Sequence, residues 1–261
     1  MLWHNQNQYV LPSELEQKLL GLETMFDELP EQNETIALRI DLLHEIGFLA
    51  WQAGDLYKAE KSLQKGLELA GTYEIKDLLA KHQNGLSILH YEKGDLPKAL
   101  AYADLAQING PQDCIPYLNQ AVILFSMGKR YFAFQKGNKA ISMCPINPWG
   151  WNMLGFLYFF AGQTNNAIKS FQYAIEISPD DIFFSESIVV CYAELGLYKK
   201  AKNHLDQIHA YNNSIISDAL AVYIQSTKEE AANYLKYKKR NSELENVNIV
   251  RNPILAILLS P

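Results

Sequence analysis

Apolar side chains recur along most of this chain at steps of three and four, and the strict alternation of a half-buried strand is absent. The clearest stretch sets Trp151, Leu154 and Tyr158 on one run and Ala167, Phe171 and Ala174 on the next, with Pro179 closing it. Such steps place the side chains on one face of a helix, so two successive helices are predicted, with Gly162 in the turn between them. Gly94, Gly128, Gly162 and Gly196 follow one another at 34 residues, each in such a turn. The register returns Leu86, Ala99, Ala106 and Pro111, then Ala121, Ala133, Ala140 and Pro145, and later Tyr192, Ala201 and Leu205. A fixed period of this size marks stacked repeats, each one helix pair.

Trp151-x-x-Leu154-Gly155-x-x-Tyr158, then Ala167-x-x-x-Phe171, Ala174 and Pro179, resembles the tetratricopeptide repeat, and the chain is identified as a member of that family. The resemblance covers about 40–240 and is strongest in 148–181. It implies an all-α fold, a right-handed superhelical solenoid of helix pairs with atypical capping helices at both ends. Within a pair, Gly155 lets the backbones approach and Ala167 and Ala174 fit the tight crossing. Trp151, Leu154, Tyr158 and Phe171 fill the wedge, and Pro179 ends the second helix. Five units are expected, at 40–73, 80–113, 114–147, 148–181 and 182–215. The turn glycine of the first, Gly54, precedes Gly94 by 40 residues, so its second helix is expected to be longer by more than a turn.

A terminal repeat lacks a neighbour on one face and needs a cap. Residues 1–39 are expected to supply it at the front, where Ser13-Glu14-Leu15-Glu16 reads as a capping box opening a helix that Pro30 stops near Leu29. Residues 216–240 read as a degenerate capping pair, Ile216–Ser226 and Glu229–Lys239, with Ala231 and Leu235 in the places of Ala201 and Leu205. One elongated domain is expected, because stacked repeats share a continuous core and no linker-like run interrupts them. Residues 241–261 form a tail whose run from Ile254 to Leu259 is too short to span a bilayer and too apolar to be left open. It is expected to be covered by the last repeat, by the protein's own groove or by a partner, and docking on the final helix pair is the favoured arrangement.

Composition narrows the function. The net charge of −6 lacks the clustered cations that phosphate contact needs, so nucleic acid is not expected as a partner. Lys236, Lys238, Lys239 and Arg240 are the one dense basic run, and they close a predicted helix where cations suit the dipole. Met1 to Gln8 has neither a basic segment nor an apolar stretch, so a cytoplasmic protein is expected. Cys114, Cys144 and Cys191 are read as reduced, packed thiols, and the six histidines as surface or partly buried side chains without a metal. No phosphate loop and no nucleophile elbow occurs, so no catalytic residue, cofactor or metal is expected. Oligomeric state carries no signal.

The expected site is the concave groove lined by the first helix of each pair. The family geometry turns His44, Phe48 and Trp51 inward, then Lys81, Asn84, Ile88 and Tyr91, then Asn119, Val122 and Phe125. Trp149, Asn152, Phe156, Phe159 and Phe160 follow, then Phe183, Glu186 and Val190. The partner-binding set drawn from these is Lys81, Asn84, Tyr91, Asn119, Phe125, Trp149, Asn152, Phe156 and Phe159. So many rings in a groove read as an exposed apolar patch, the mark of a binding site, though adjacent rings such as Phe159 and Phe160 cannot point the same way. Asn84, Asn119 and Asn152 recur at 34 or 35 residues, as do asparagines of this family that clamp a peptide main chain; an amide both donates and accepts. The Lys-rich clamp by which chaperone cofactors of this family grip a C-terminal carboxylate is not reproduced, since Lys81 stands alone. The groove is similar in kind to that of type III secretion translocator chaperones. Two classes follow: a non-enzymatic module binding an extended, partly apolar peptide or partner protein as chaperone, adaptor or scaffold, or a ligand-responsive regulator like the peptide-pheromone receptors, which changes superhelix shape to control a second partner.

Overall fold

The computed structural model describes residues 12–211 and 215–240, together with Ile254, Ile257 and Leu258. The readings of Met1–Gln8, of the Ser13 side chain and of the rest of the tail fall outside the described residues. Those residues form thirteen helices and no strand. Contacts divide the chain into two compact units that meet in sequence at Met143 and Cys144. The first contains α1 (Pro12–Glu28), α2 (Ile36–Gln52), α3 (Leu56–Thr72), α4 (Lys76–Glu92), α5 (Leu96–Asn109), α6 (Ile115–Ser126) and α7 (Arg130–Met143). The second contains α8 (Pro148–Phe160), α9 (Thr164–Ile177), α10 (Ile182–Glu194), α11 (Tyr198–Tyr211), α12 (Ile215–Gln225) and α13 (Lys228–Arg240). In each unit successive helices pack on one another, and first helices also meet the next first helix: α2 with α4 and α4 with α6, then α8 with α10 and α10 with α12.

One device makes the turn inside each helix pair from α2–α3 to α10–α11. Gly54, Gly94, Gly128, Gly162 and Gly196 hold φ between 69° and 84°, a region a side chain resists. The next N–H then reaches back to the fifth carbonyl before it, as Asp95 does to His90 at 2.9 Å and Gln163 to Tyr158 at 2.8 Å, closing the helix end. Asp55 and Asp95 go on to cap the following helices, accepting from the backbone N–H of Lys58 and Lys98. Glu74 occupies the same place after α3, at φ 54°, with Ile75 N–H bonded to Ala70 at 2.9 Å. Here a non-glycine residue takes the left-handed position.

The longer spacing between Gly54 and Gly94 divides between two helices. α3 has 17 residues against 14 in α5, and α4 has 17 against 12 in α6, so the second helix alone does not absorb it.

Where paired helices cross, volumes compensate. A Cβ on Gly155 would meet the Phe171 ring at 2.5 Å, and one on Gly47 would meet Leu63 at 3.0 Å. Ala167 and Ala174 are wholly buried beside Phe171. In the second unit one contiguous apolar core runs through α8–α13 and takes in Ile254, Ile257 and Leu258. The first unit is divided among smaller clusters, such as Trp51, Leu63, Leu86 and Leu89.

Cys191 is a free, buried thiol whose pKa burial pushes up to about 12, leaving it inert. Cys114 and Cys144 are disulfide-bonded, so the expectation of reduced, packed thiols fails for those two.

Candidate binding face

Counting back thirteen, ten, six and three residues from each turn glycine gives one row per first helix, because these steps of three and four share a face. The rows are Asp41, His44, Phe48 and Trp51 on α2, and Lys81, Asn84, Ile88 and Tyr91 on α4. On α6 the row is Ile115, Leu118, Val122 and Phe125, and on α8 it is Trp149, Asn152, Phe156 and Phe159. Phe183, Glu186, Val190 and Ala193 complete the series on α10.

The second place in each row is buried and mostly polar: His44, Asn84, Leu118, Asn152 and Glu186. Asn119 stands one residue past this register, which Leu118 holds. Its amide still reaches its neighbour, Nδ2 donating to Asn84 Oδ1 at 3.2 Å. The Oδ1 atoms of Asn119 and Asn152 are buried without a protein partner.

The rings separate into two kinds. Tyr91, Phe125, Trp149 and Phe159 are half-buried, and Phe160 is exposed. Phe156 is instead a core residue, 4% exposed and set edge-on against Phe171 with centroids 5.0 Å apart. Tyr91 shares a hydrogen bond with Ser126 at 3.1 Å, and the Arg130 guanidinium lies 5.8 Å from the Phe125 ring. Trp149 stacks on Phe183 at 5.2 Å, while Phe159 meets Phe160 edge-on at 5.4 Å.

Lys81 is not held ready for a ligand's carboxylate. Its ammonium pairs with Asp41 at 2.9 Å and Glu45 at 3.4 Å, all three groups partly exposed.

Sequence reading missed the buried imidazole beneath this charge cluster. His82 is wholly buried, stands edge-on to His44 with centroids 5.4 Å apart, and has Nδ1 2.9 Å from the Leu78 carbonyl. Its Nε2 lies where a Cβ on Gly66 would come within 2.0 Å, so the absence of a side chain at Gly66 makes the room. Burial, then the His44 charge, lowers the His82 pKa from 6.5 to about 4. The signal was available as Gly66 sixteen residues before His82, but a glycine inside a helix announces close approach without naming the neighbour.

Among the described residues no cluster of His, Cys, Asp and Glu could hold a metal ion. No helix among them is long and apolar enough to cross a membrane.

Comparison with known proteins recovers the repeat. Two family models, both described as tetratricopeptide repeat, match residues 40–73 and 137–169. A solved tetratricopeptide repeat protein from Parabacteroides merdae superposes with a TM-score of 0.63 over 95% of this chain and 93% of that one, at 18% identity. The chain contains tetratricopeptide repeats. Its fold is accordingly an all-α helical-repeat solenoid. The repeat protein is also 33% identical over 79 residues, 30% of its length, to the uncharacterised protein ycf37 of Pyropia yezoensis, covering 44% of that relative. Over 61% of its length it is 27% identical to the Hsp70-Hsp90 organising protein of Plasmodium falciparum, covering 62% of it. The repeat protein thus spans less than two thirds of each of these relatives.

Proposed function

We propose that this repeat protein is a non-enzymatic interaction module that holds an extended, partly apolar peptide or partner segment against the rows of its first helices, as a chaperone, adaptor or assembly scaffold. The observation that carries this reading is a pairing within single helices. Half-buried Ile88 and Tyr91 lie beside the buried amide of Asn84 on α4, and half-buried Trp149 and Phe159 beside that of Asn152 on α8. Apolar surface supplies affinity without directional demand. An amide beneath it pairs with a peptide group of any sequence, and Asn152 Oδ1 has no protein donor to give up. An unmet buried acceptor costs about 1–3 kcal/mol, so a ligand N–H that reaches it gains that amount.

The net charge of −6 favours a protein over a nucleic acid as partner. The Plasmodium relative is by its printed name an organising protein of Hsp70 and Hsp90, a role of the same class. The ion-paired Lys81 argues against a terminal carboxylate as the feature gripped here.

The test is affinity capture from the source organism with the unchanged chain and with two double variants, Tyr91→Ala with Phe125→Ala and Asn119→Ala with Asn152→Ala. Each is expected to lose captured protein at least fivefold while helicity by circular dichroism is retained. Undiminished capture by both variants would move the binding surface off these rows.

A further inference from the structure

The row on α10 differs from its counterparts in a way the repeat geometry alone does not produce. On α4, Lys81, Ile88 and Tyr91 stay half-buried around Asn84. On α10 all four members are buried: Phe183 is 7% exposed, Glu186 1%, Val190 0% and Ala193 1%. Ten of the thirteen residues of α10 are buried, in every direction around the helix axis. A helix buried all round has something on each face. Within the second unit α10 packs against α8, α9, α11 and α12. On the row itself, Trp149 stacks on Phe183 and covers part of it.

The core that includes Phe183 and Val190 contains three described residues from outside α8–α13. These are Ile254, Ile257 and Leu258, at 0%, 4% and 0% exposure. All three are helical, and their spacing of three and four puts them on one face. That is the pattern of an amphipathic helix set into a groove.

We propose that Ile254, Ile257 and Leu258 occupy the row of α10 as an intramolecular ligand, so that this part of the binding face takes a short helix with aliphatic anchors at i, i+3 and i+4 and opens to a partner only when the chain's own segment leaves. The proposal rests on the reading of the rows as the binding face and adds its regulation. A tethered occupant competes at high effective concentration, so a partner meets an apparent affinity lowered by the fraction of time the row is open. The segment expected to dock on the final helix pair is thereby assigned to the row of the repeat before that pair.

The experiment uses the full chain carrying Ile257→Asp with Leu258→Asp, and a fluorescent synthetic peptide of residues 249–261 as probe. Charge at the two anchors should free the row, so the variant is expected to bind the peptide at least tenfold more tightly than the unchanged chain, whose row is filled. A benzophenone at position 258 of the peptide should crosslink to α10. Equal affinity for the two chains, no saturable binding by the variant, or crosslinks confined to α13 would overturn the proposal. Should the variant unfold, Ile254→Ala in the full chain gives the second reading. It is expected to speed hydrogen exchange along α10 at least tenfold more than along α13, and the opposite order would overturn the proposal. Peptide binding does not depend on the unidentified partner, so the two readings fail separately. A peptide that does not bind beside normal partner capture removes the regulation alone. A peptide that binds beside absent capture removes the interaction reading alone.

Discussion

α4 and α10 are built on one register and meet opposite surroundings. α4 carries a lysine tied to two carboxylates, an amide joined to Asn119, and two half-buried apolar side chains. α10 carries phenylalanine, glutamate, valine and alanine, all enclosed. The repeat motif fixes which side chains share a face and leaves open what covers them. A position in the same register is half-buried in one repeat and enclosed in another.

That contrast is most strongly tested where the two rows match, at Ile88 and Val190, each six residues before its turn glycine. Aspartate at Val190 places a carboxylate in a fully covered apolar site, and we expect it to cost about 3–4 kcal/mol. Aspartate at half-buried Ile88 keeps water in reach and is expected to cost about 1 kcal/mol. Urea unfolding of both variants measures the difference. Equal costs would show that the rows are alike and that α10 is not enclosed.

Next in size is a pH effect that belongs to the first unit. His82 is held neutral by burial, its pKa near 4 against 6.5, and His44 beside it is lowered by burial as well. As pH falls the unfolded chain takes up these protons first, so the stabilisation is complete above about pH 6.5 and is lost progressively toward pH 4. Asp41, Glu45 and Lys81 face the pair from α2 and α4, with the carboxylates opposing and the lysine reinforcing the downward shift on His44. For wholly buried His82 the loss is on the order of 3 kcal/mol across that window. Stability of His82→Asn, followed by urea unfolding from pH 7 to pH 4, should be lower at pH 7 but flatter in its pH dependence. A slope unchanged from the parent chain would mean that His82 is not the group responsible.

Legibility from sequence followed the same divide. The turn glycines and the small residues at crossings were readable because backbone conformation and close approach restrict residue type. Gly162 is at φ 75° and Ala167 has no exposed surface. The enclosure of Phe156, Phe183 and Val190 was not readable, because an inward apolar side chain has the same spacing whether it faces water or a neighbour. Nor was the register of Asn119. An interval of 35 residues looks like 34 until counted from the glycines, and it places Leu118 where the amide was expected. Buried His82 escaped because histidine is at home at every depth.

The smallest expected effect concerns the one turn of this kind that, among the described residues, is made without glycine. Gly94, Gly128, Gly162 and Gly196 enter the left-handed region at little cost, whereas Glu74 is held there at φ 54° between α3 and α4. The hydrogen bond from Ile75 N–H to Ala70 is kept, so the turn forms against the side chain's preference. A left-handed residue with a Cβ costs about 1–2 kcal/mol, and glycine returns part of that as entropy of the unfolded chain. Glu74→Gly is therefore expected to stabilise the first unit by about 0.5–1 kcal/mol. The mirror change, Gly94→Ala, introduces the same strain and should destabilise by about 1 kcal/mol or slightly more. Denaturant midpoints for the pair should move in opposite directions. If both variants lose stability, Glu74 contributes something its backbone angle does not reveal, and the equivalence of the link after α3 with the glycine turns fails.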